Sequence, residues 1–233
     1  MKMRGWICPS TTQVIAAAWL VVGTPCHAQT PERSAQDLLQ ALQQRYELVL
    51  AFSADFTQTY EGGMLRTRLE ERGIVLVKRP GRMRWDYQEP ERKLFVSDGK
   101  LLYSYLQEDR QGSITRLPDE SQATTPMLFL AGAGDFVTDF TAAYDTVRDQ
   151  PPDSYVLRLT PTRTERDFEF LTLVLDAGTL AIRRLISRDL QGGIMTFVFS
   201  NLQEDLDLPD TLFTLEFPPG TNVDDTTRSD ALR

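Results

Sequence analysis

The chain opens its regular pattern with one amphipathic helix. Apolar residues recur there at helical spacing, at Leu38, Leu42, Tyr46 and Val49. Thr30, followed by Pro31 and an acid, is a helix start signal. The spacing therefore predicts a helix from about Thr30 to about Ala51.

From Phe52 onward the apolar positions alternate with a period of two, which indicates strands. Apolar stretches separated by turn signals predict strands at 52–58, 74–78, 83–87, 94–97, 101–106, 155–159, 168–175 and 213–217. Asp98-Gly99 is a hairpin signal, and Gly192-Gly193 is another. About eleven strands with mostly short turns predict one antiparallel sheet.

One segment interrupts the strands. Residues 124–130 combine a capping threonine, a proline and a dense apolar run, which predicts a short apolar helix. A glycine hinge at Gly132 and Gly134 follows, and then a second helical turn near Phe136.

A sheet of about eleven strands must curl, and its concave face is too wide for its own side chains to fill. The predicted fold is mainly β, a curved and incomplete antiparallel barrel with a helical lid over the concave face. Two interpretations stay open: an apolar cavity under the lid, or a packed half-barrel core without a cavity. The residues that would line such a cavity are Phe56, Met83, Trp85, Tyr87, Met127, Leu128, Phe129 and Phe170.

The stretch 78–87 (KRPGRMRWDY) sets its arginines apart. Alternation places Met83 and Trp85 on one face, and Arg82 and Arg84 on the opposite face, as charges that point to water. Arg79 ends a strand on a face shared with two valines. It is either an arginine at the sheet edge that reaches for water, or a donor at the cavity rim that binds lid carbonyls.

The first 28 residues have the layout of a secretory signal peptide. A basic start precedes a short apolar run at 14–22, and small residues lead to a predicted cleavage site after Ala28. Pro25 before Cys26 speaks against lipid attachment at that cysteine. We expect residues 29–223 to form one domain and 224–233 to form a loose polar tail in a periplasmic protein.

Cleavage would change the chemistry that the chain can perform. Both cysteines and the one histidine lie in the first 28 residues, so catalysis and metal binding by Cys or His would be excluded. The formal net charge of −8 for the whole chain argues against nucleic acid and anionic lipid surfaces as partners. The acids Asp86, Glu89, Glu91 and Asp98 leave a carboxylate hydrolase as an alternative.

Several separate motifs carry a family resemblance. They are Phe56-Thr57-Gln58, the 77–81 stretch VKRPG, Arg84-Trp85-x-Tyr87, the 95–100 stretch FVSDGK, Thr125-Pro126, and the 213–223 stretch that begins with Phe213 and ends with Val223. Together they resemble the periplasmic outer-membrane lipoprotein carrier family (LolA-like), in matching order from about residue 34 to 225. The resemblance is weaker at 110–122.

The resemblance implies a cavity that holds acyl chains of lipoproteins, with Arg79 hydrogen-bonded to the lid helices when the carrier is empty. It implies two partners besides the cargo: an inner-membrane ABC-type release complex and an outer-membrane receptor lipoprotein. It implies a chaperone without enzymatic activity, cofactor, metal or nucleic acid, and we expect a monomer. A lipid- or lipoprotein-binding sensor or receptor of the same fold is the alternative within the resemblance.

The predicted cleavage site can be tested directly. We expect the protein that is expressed from its full sequence and secreted to begin at Gln29, because cleavage follows Ala28. Intact-mass measurement and N-terminal sequencing check this. A retained Met1, or a mass increase from a lipid on Cys26, would contradict the interpretation.

Overall fold

One large sheet and few helices make up the chain in a computed structural model that describes residues 33–62, 67–117, 130, 134–165 and 167–227. The helices are α1 (Ala35–Leu48), α2 (Phe136–Asp139) and a 3-10 helix (Asp210–Phe213). The strands are β1 (Ala51–Gly62), β2 (Thr67–Lys78), β3 (Arg82–Glu89), β4 (Lys93–Asp98), β5 (Leu101–Leu106), β6 (Gln111–Arg116), β7 (Phe140–Tyr144), β8 (Ser154–Pro161), β9 (Phe170–Asp176), β10 (Ile182–Arg188), β11 (Ile194–Glu204) and β12 (Asn222–Asp225).

Helix α1 begins later than its sequence signal indicates. Ser34 caps it, because its hydroxyl accepts from Asp37 N at 3.1 Å while the Asp37 carboxylate accepts from Ser34 N at 3.3 Å. Thr30 lies outside the described residues. The helical spacing of the apolar side chains is confirmed, since Leu38, Leu42 and Tyr46 are all buried.

The strands follow one another in a single open sheet, in the order β12-β6-β5-β4-β3-β2-β1-β11-β10-β9-β8-β7. Neighbouring strands are antiparallel, except that β12 runs parallel to β6. Within the described ranges β12 and β7 remain the two edges, so the sheet is curved but not a closed barrel. The predicted fold class of a mainly β, incomplete barrel is confirmed.

The sheet has an inner face, which α1 covers, and an outer face. Buried side chains of α1 join those of the inner face in one apolar cluster that reaches from Val77 on β2 to Leu159 on β8. No helix among the described residues is long and apolar enough to cross a membrane. The core therefore lies between α1 and the concave side of the sheet.

The C-terminal segment crosses the outer face, and it changes the interpretation of the arginines there. Lys78 Nζ donates to Leu208 O at 2.7 Å, and Arg84 Nη1 donates to Leu212 O at 3.2 Å. Arg82 lies 3.8 Å from the carboxylate of Asp210. Arg82 and Arg84 are on the predicted face, but they hold a covering segment instead of pointing freely to water.

Three further expectations differ from the structure. Residues 213–217 do not form a strand, since a 3-10 helix ends at Phe213 and an irregular stretch follows. Strands β6, β7 and β12 were not among the predicted strands. Asp224 and Asp225, which the sequence assigned to a loose tail, pair with β6 in β12.

The hairpin at Asp98-Gly99 is confirmed, although its turn is not the expected type. Gly99 has a φ of +95°, whereas Asp98 is not among the residues of positive φ. The Asp98 carboxylate instead accepts from the backbone of Lys100 and Leu101, each at 2.8 Å. Asp98 thus fixes the turn with its side chain.

The outer-face segment generates a prediction. Phe213 is 1% exposed, and its 3-10 helix lies against β3 and β4. We expect Phe213→Ala to lower the free energy of unfolding by about 3–5 kcal/mol through lost packing. Urea unfolding measures the effect. The exposed neighbour substitution Thr214→Ala should stay within about 0.5 kcal/mol, and equal losses in both variants would show that the segment is not packed as described.

Candidate functional site

The inner face of β1 to β4 is built from rows of side chains that lie directly opposite one another. Opposed residues on neighbouring strands share a face of the sheet. The first row is Phe52, Val77, Met83 and Ser97; the second is Ala54, Val75, Trp85 and Phe95; the third is Phe56, Gly73, Tyr87 and Lys93. A fourth pair, Gln58 and Glu71, follows. Polarity rises from the first row to the last.

Aromatic rings form the centre of this wall. The Phe56 ring lies 5.0 Å from Trp85 and 4.8 Å from Tyr87, both edge to face, and Phe197 of β11 lies 5.3 Å from Trp85. Gly73 leaves the space for this packing, because a Cβ there would lie 2.9 Å from the Phe56 ring and 2.1 Å from the Asp86 carbonyl oxygen. Four of the predicted lining residues, Phe56, Met83, Trp85 and Tyr87, therefore meet in one buried cluster.

The polar end of the wall is a connected hydrogen-bond network. Tyr87 donates its hydroxyl to Gln58 Oε1 at 2.6 Å, and Gln58 donates to Glu71 Oε2 at 3.3 Å. Lys93 Nζ donates to Glu71 Oε1 at 2.5 Å. Burial, and then the charge of Glu71, raise the pKa of Tyr87, so its hydroxyl keeps its proton and remains a donor at neutral pH.

At the other end of the wall, contacts link β2, α1 and Leu130. Arg79 donates through Nη1 to the backbone carbonyl of Tyr46, near the end of α1, and its guanidinium lies over the Tyr46 ring at 4.1 Å. Tyr46 in turn donates its hydroxyl to the backbone carbonyl of Leu130 at 2.5 Å in a buried contact. Burial raises the pKa of Tyr46, so this hydroxyl also keeps its proton.

Arg79 is a strained partner in this arrangement. It is half-buried, burial lowers its pKa, and its Nε has no hydrogen-bond partner among the described residues. A buried donor without an acceptor costs about 1–3 kcal/mol. Of the two sequence-based interpretations of Arg79, the contacts favour a donor to helix carbonyls at the rim over an arginine that only reaches for water.

The Tyr46 hydroxyl, not Arg79, makes the contact with Leu130. Leu130 is the one described residue of the predicted lid segment 124–130, so the contacts of Met127, Leu128 and Phe129 lie outside the described residues. Sequence reasoning placed Tyr46 on the buried face of α1 but gave it no further role. Its position four residues after Leu42 predicts burial, whereas a hydroxyl partner more than 80 residues away leaves no local signal.

A small cavity lies next to this contact. It has a volume of about 30 Å³ and is lined by Tyr46, Phe52, Leu130, Phe199 and Leu202 among others. This volume holds about one water molecule. Arg45 and Glu204 also line the cavity, where they form a bidentate ion pair at 2.6 and 2.8 Å. An acyl chain therefore fits only if the cover over the wall moves.

Phe170 is not part of the inner wall, contrary to the expectation. On β9 the inner positions are Leu171, Leu173 and Leu175, so Phe170 points to the outer face. The guanidinium of Arg158 lies over its ring at 4.2 Å there. Apolar residues occupy both faces of this strand, and alternation therefore could not assign the side of Phe170.

The four acids that left a hydrolase open do not converge. Asp98 is bound to its own turn, and Asp86 lies 4.0 Å from Arg84 on the outer face. Glu89 lies 3.9 Å from Arg72, and Glu91 lies 3.9 Å from Lys93. Within the part of the chain that the structure describes, no group of three or more Asp, Glu, His or Cys is placed to hold a metal ion.

These features define a class of protein: one open, curved sheet whose apolar inner wall is covered by a helix through a few directional contacts. The family model "Outer membrane lipoprotein carrier protein LolA" matches residues 47–216. The outer-membrane lipoprotein carrier protein of Chromohalobacter salexigens is 31% identical over 199 residues, covering 85% of this chain and 90% of the relative. That of Nitrosomonas europaea is 29% identical over 174 residues, covering 75% and 82%.

The chain belongs to the outer-membrane lipoprotein carrier (LolA) family. A solved structure of an uncharacterised conserved protein from Thermus thermophilus shares the fold, with a TM-score of 0.52 and 13% identity, and the match covers 82% of this chain and 98% of that one. The family resemblance seen in the sequence motifs is confirmed.

The Tyr46 contact generates a prediction. Tyr46→Phe removes one hydroxyl and leaves the Leu130 carbonyl without this donor. We expect a loss of about 0.5–1.5 kcal/mol, with faster hydrogen exchange in residues 125–134, because the cover over the wall opens more often. Hydrogen exchange followed by mass spectrometry measures both.

Tyr144→Phe is the matched control, since Tyr144 also donates to a backbone carbonyl, that of Arg33, but at an exposed site. Its exchange in 125–134 should equal that of the parent. Unchanged exchange in Tyr46→Phe would show that this hydroxyl does not hold the segment.

Proposed function

We propose that this protein is a periplasmic chaperone that carries acylated lipoproteins from the inner to the outer membrane. It would bury their acyl chains against the inner wall of the sheet, under α1 and the segment that contains Leu130. In this proposal an inner-membrane ABC-type release complex loads the carrier, and an outer-membrane receptor lipoprotein unloads it. The names of the related carrier proteins support this role, and the inner wall supplies its physical basis.

The observation that carries the proposal is the pairing of a wide apolar wall with a cover held by few polar contacts. The rows that include Met83, Trp85 and Phe56 supply buried apolar surface. The described contacts at the rim are single donors to backbone carbonyls, from Arg79 to Tyr46 and from Tyr46 to Leu130. Such a cover can open without loss of the sheet.

The energies favour exchange of the cover for cargo. Each buried CH₂ of an acyl chain is worth about 0.8 kcal/mol, whereas each rim hydrogen bond contributes about 0.5–1.5 kcal/mol. A chain of many CH₂ groups therefore outweighs the rim contacts that it displaces. The uncompensated burial of Arg79 lowers the cost of opening further, since its Nε can find water when the rim opens.

Cargo binding is the direct test. We expect an acylated lipoprotein to copurify with the protein from cells that produce one, because exposed acyl chains would otherwise aggregate or insert into a membrane. The same lipoprotein with its acylated cysteine replaced by serine should not copurify. Equal recovery of both forms, or recovery of neither, would contradict the proposal.

The role of Arg79 is tested by Arg79→Leu. We expect the variant to close less well and so to bind more of an environment-sensitive hydrophobic dye, while it passes cargo more slowly to an acceptor membrane that holds the receptor. Arg82→Leu is the matched control three residues away. It loses only a half-exposed ion pair with Asp210 on the outer face, worth about 0–1 kcal/mol.

Dye binding and cargo transfer should therefore match the parent in Arg82→Leu. Equal changes in the two variants would contradict the division between a rim arginine and an outer-face arginine.

A further inference from the structure

The indole N–H of Trp85 is the group on the inner wall that packing does not account for. Trp85 is 0% exposed, and its Nε1 has no hydrogen-bond partner among the described residues. An indole nitrogen donates and cannot accept. Because buried polar groups are nearly always paired, an unpaired one requires an explanation.

The surroundings of Trp85 in the empty protein offer aromatic and aliphatic carbon. Its row neighbours on β2 and β4 are Val75 and Phe95, and the rings of Phe56 and Phe197 lie 5.0 and 5.3 Å away. Phenylalanine in this place would fill most of the same apolar volume without a buried donor. The donor therefore needs an acceptor that arrives with a ligand.

The position of Trp85 along the wall indicates which acceptor. On β3, Met83 lies one row toward the apolar end, and Tyr87 lies one row toward the network of Gln58, Glu71 and Lys93. Successive rows are about 7 Å apart along a strand. Trp85 thus lies at the boundary between apolar and polar parts of the wall, as tryptophan does at the interface of a membrane.

An acyl chain changes polarity in the same way over the same distance. Its hydrocarbon accepts no hydrogen bond, its ester carbonyl oxygen is the first acceptor, and its linker to the protein is polar. We propose that Trp85 Nε1–H donates to the ester carbonyl oxygen of a bound fatty acyl chain. The hydrocarbon then extends toward Met83, and the polar remainder extends toward Tyr87 and Lys93.

This assignment rests on the proposed function, because it places acyl chains on the inner wall. It adds a chemical preference to that function. A plain apolar wall does not distinguish an ester-linked chain from an ether-linked one of equal length, whereas a buried donor at the boundary favours the ester.

Two synthetic peptides supply the test. Each begins with a cysteine whose sulfur carries a glyceryl group, with two palmitoyl esters in one peptide and two hexadecyl ethers in the other. The protein is expressed from its full sequence with ¹⁵N-labelled tryptophan. Trp85→Phe identifies the indole signal of Trp85 among the three tryptophans of the sequence.

We expect both peptides to bind and the ester peptide alone to move the Trp85 indole proton downfield, as a new hydrogen bond requires. In the parent protein the ester peptide should bind about threefold to tenfold more tightly than the ether peptide, which corresponds to one neutral hydrogen bond. In Trp85→Phe the two affinities should become equal. The indole signal of the parent needs no variant, so it decides the matter even if Trp85→Phe is unstable.

The outcomes separate the two proposals. If both peptides bind with equal affinity and shift the indole proton alike, the Trp85 assignment is wrong and the carrier proposal stands. If neither peptide binds, the carrier proposal is wrong, and the assignment falls with it.

Discussion

The structure depends on the burial of one apolar face of a sheet that is too wide to cover itself. Twelve strands in one open sheet present an inner wall whose central residues, among them Phe56, Trp85 and Leu171, are almost completely buried. A closed barrel would remove the wall from water by itself. Here α1 and the segment at Leu130 cover it instead, so the cover is a separate layer that can move without breaking the ladder between strands.

The two faces of the sheet are stabilised in different ways, and this difference matters for function. The outer face is held by the C-terminal segment through Lys78, Arg84 and the buried Phe213, and β12 fixes the end of that segment to the sheet edge. The inner cover, in contrast, is joined to the rim by Arg79 and Tyr46. A fixed outer face keeps the curvature of the sheet constant while the inner cover opens.

Much of this architecture could be predicted from the sequence, and the limits have physical causes. Alternation placed Met83, Trp85 and Tyr87 on the inner face because the opposite positions are charged. It misplaced Phe170, since β9 is apolar on both faces. It also missed the C-terminal segment, whose contacts are long-range side-chain bonds to backbone carbonyls that leave no periodic signal, and it placed the helix start at Thr30 although Ser34 supplies the complete capping box.

The rim shows the same limit. The valines before Arg79 put it on the inner face, and so the sequence predicted a rim arginine. The partner of that arginine, the Tyr46 carbonyl, and the bond from Tyr46 to Leu130 depend on tertiary packing. The sequence therefore predicted which face would bind and which arginine would guard it, but not the tyrosine that joins the helix to the segment above the wall.

The central claim is that acyl chains replace the cover on the inner wall. A diacylated cysteine peptide with a photoreactive diazirine near the end of each acyl chain tests it most directly, with the crosslinked residues identified by mass spectrometry. The account predicts labels on inner-wall residues such as Met83, Val77 and Phe52 in the first row. Labels concentrated on outer-face residues such as Phe170 or Val198 would contradict it.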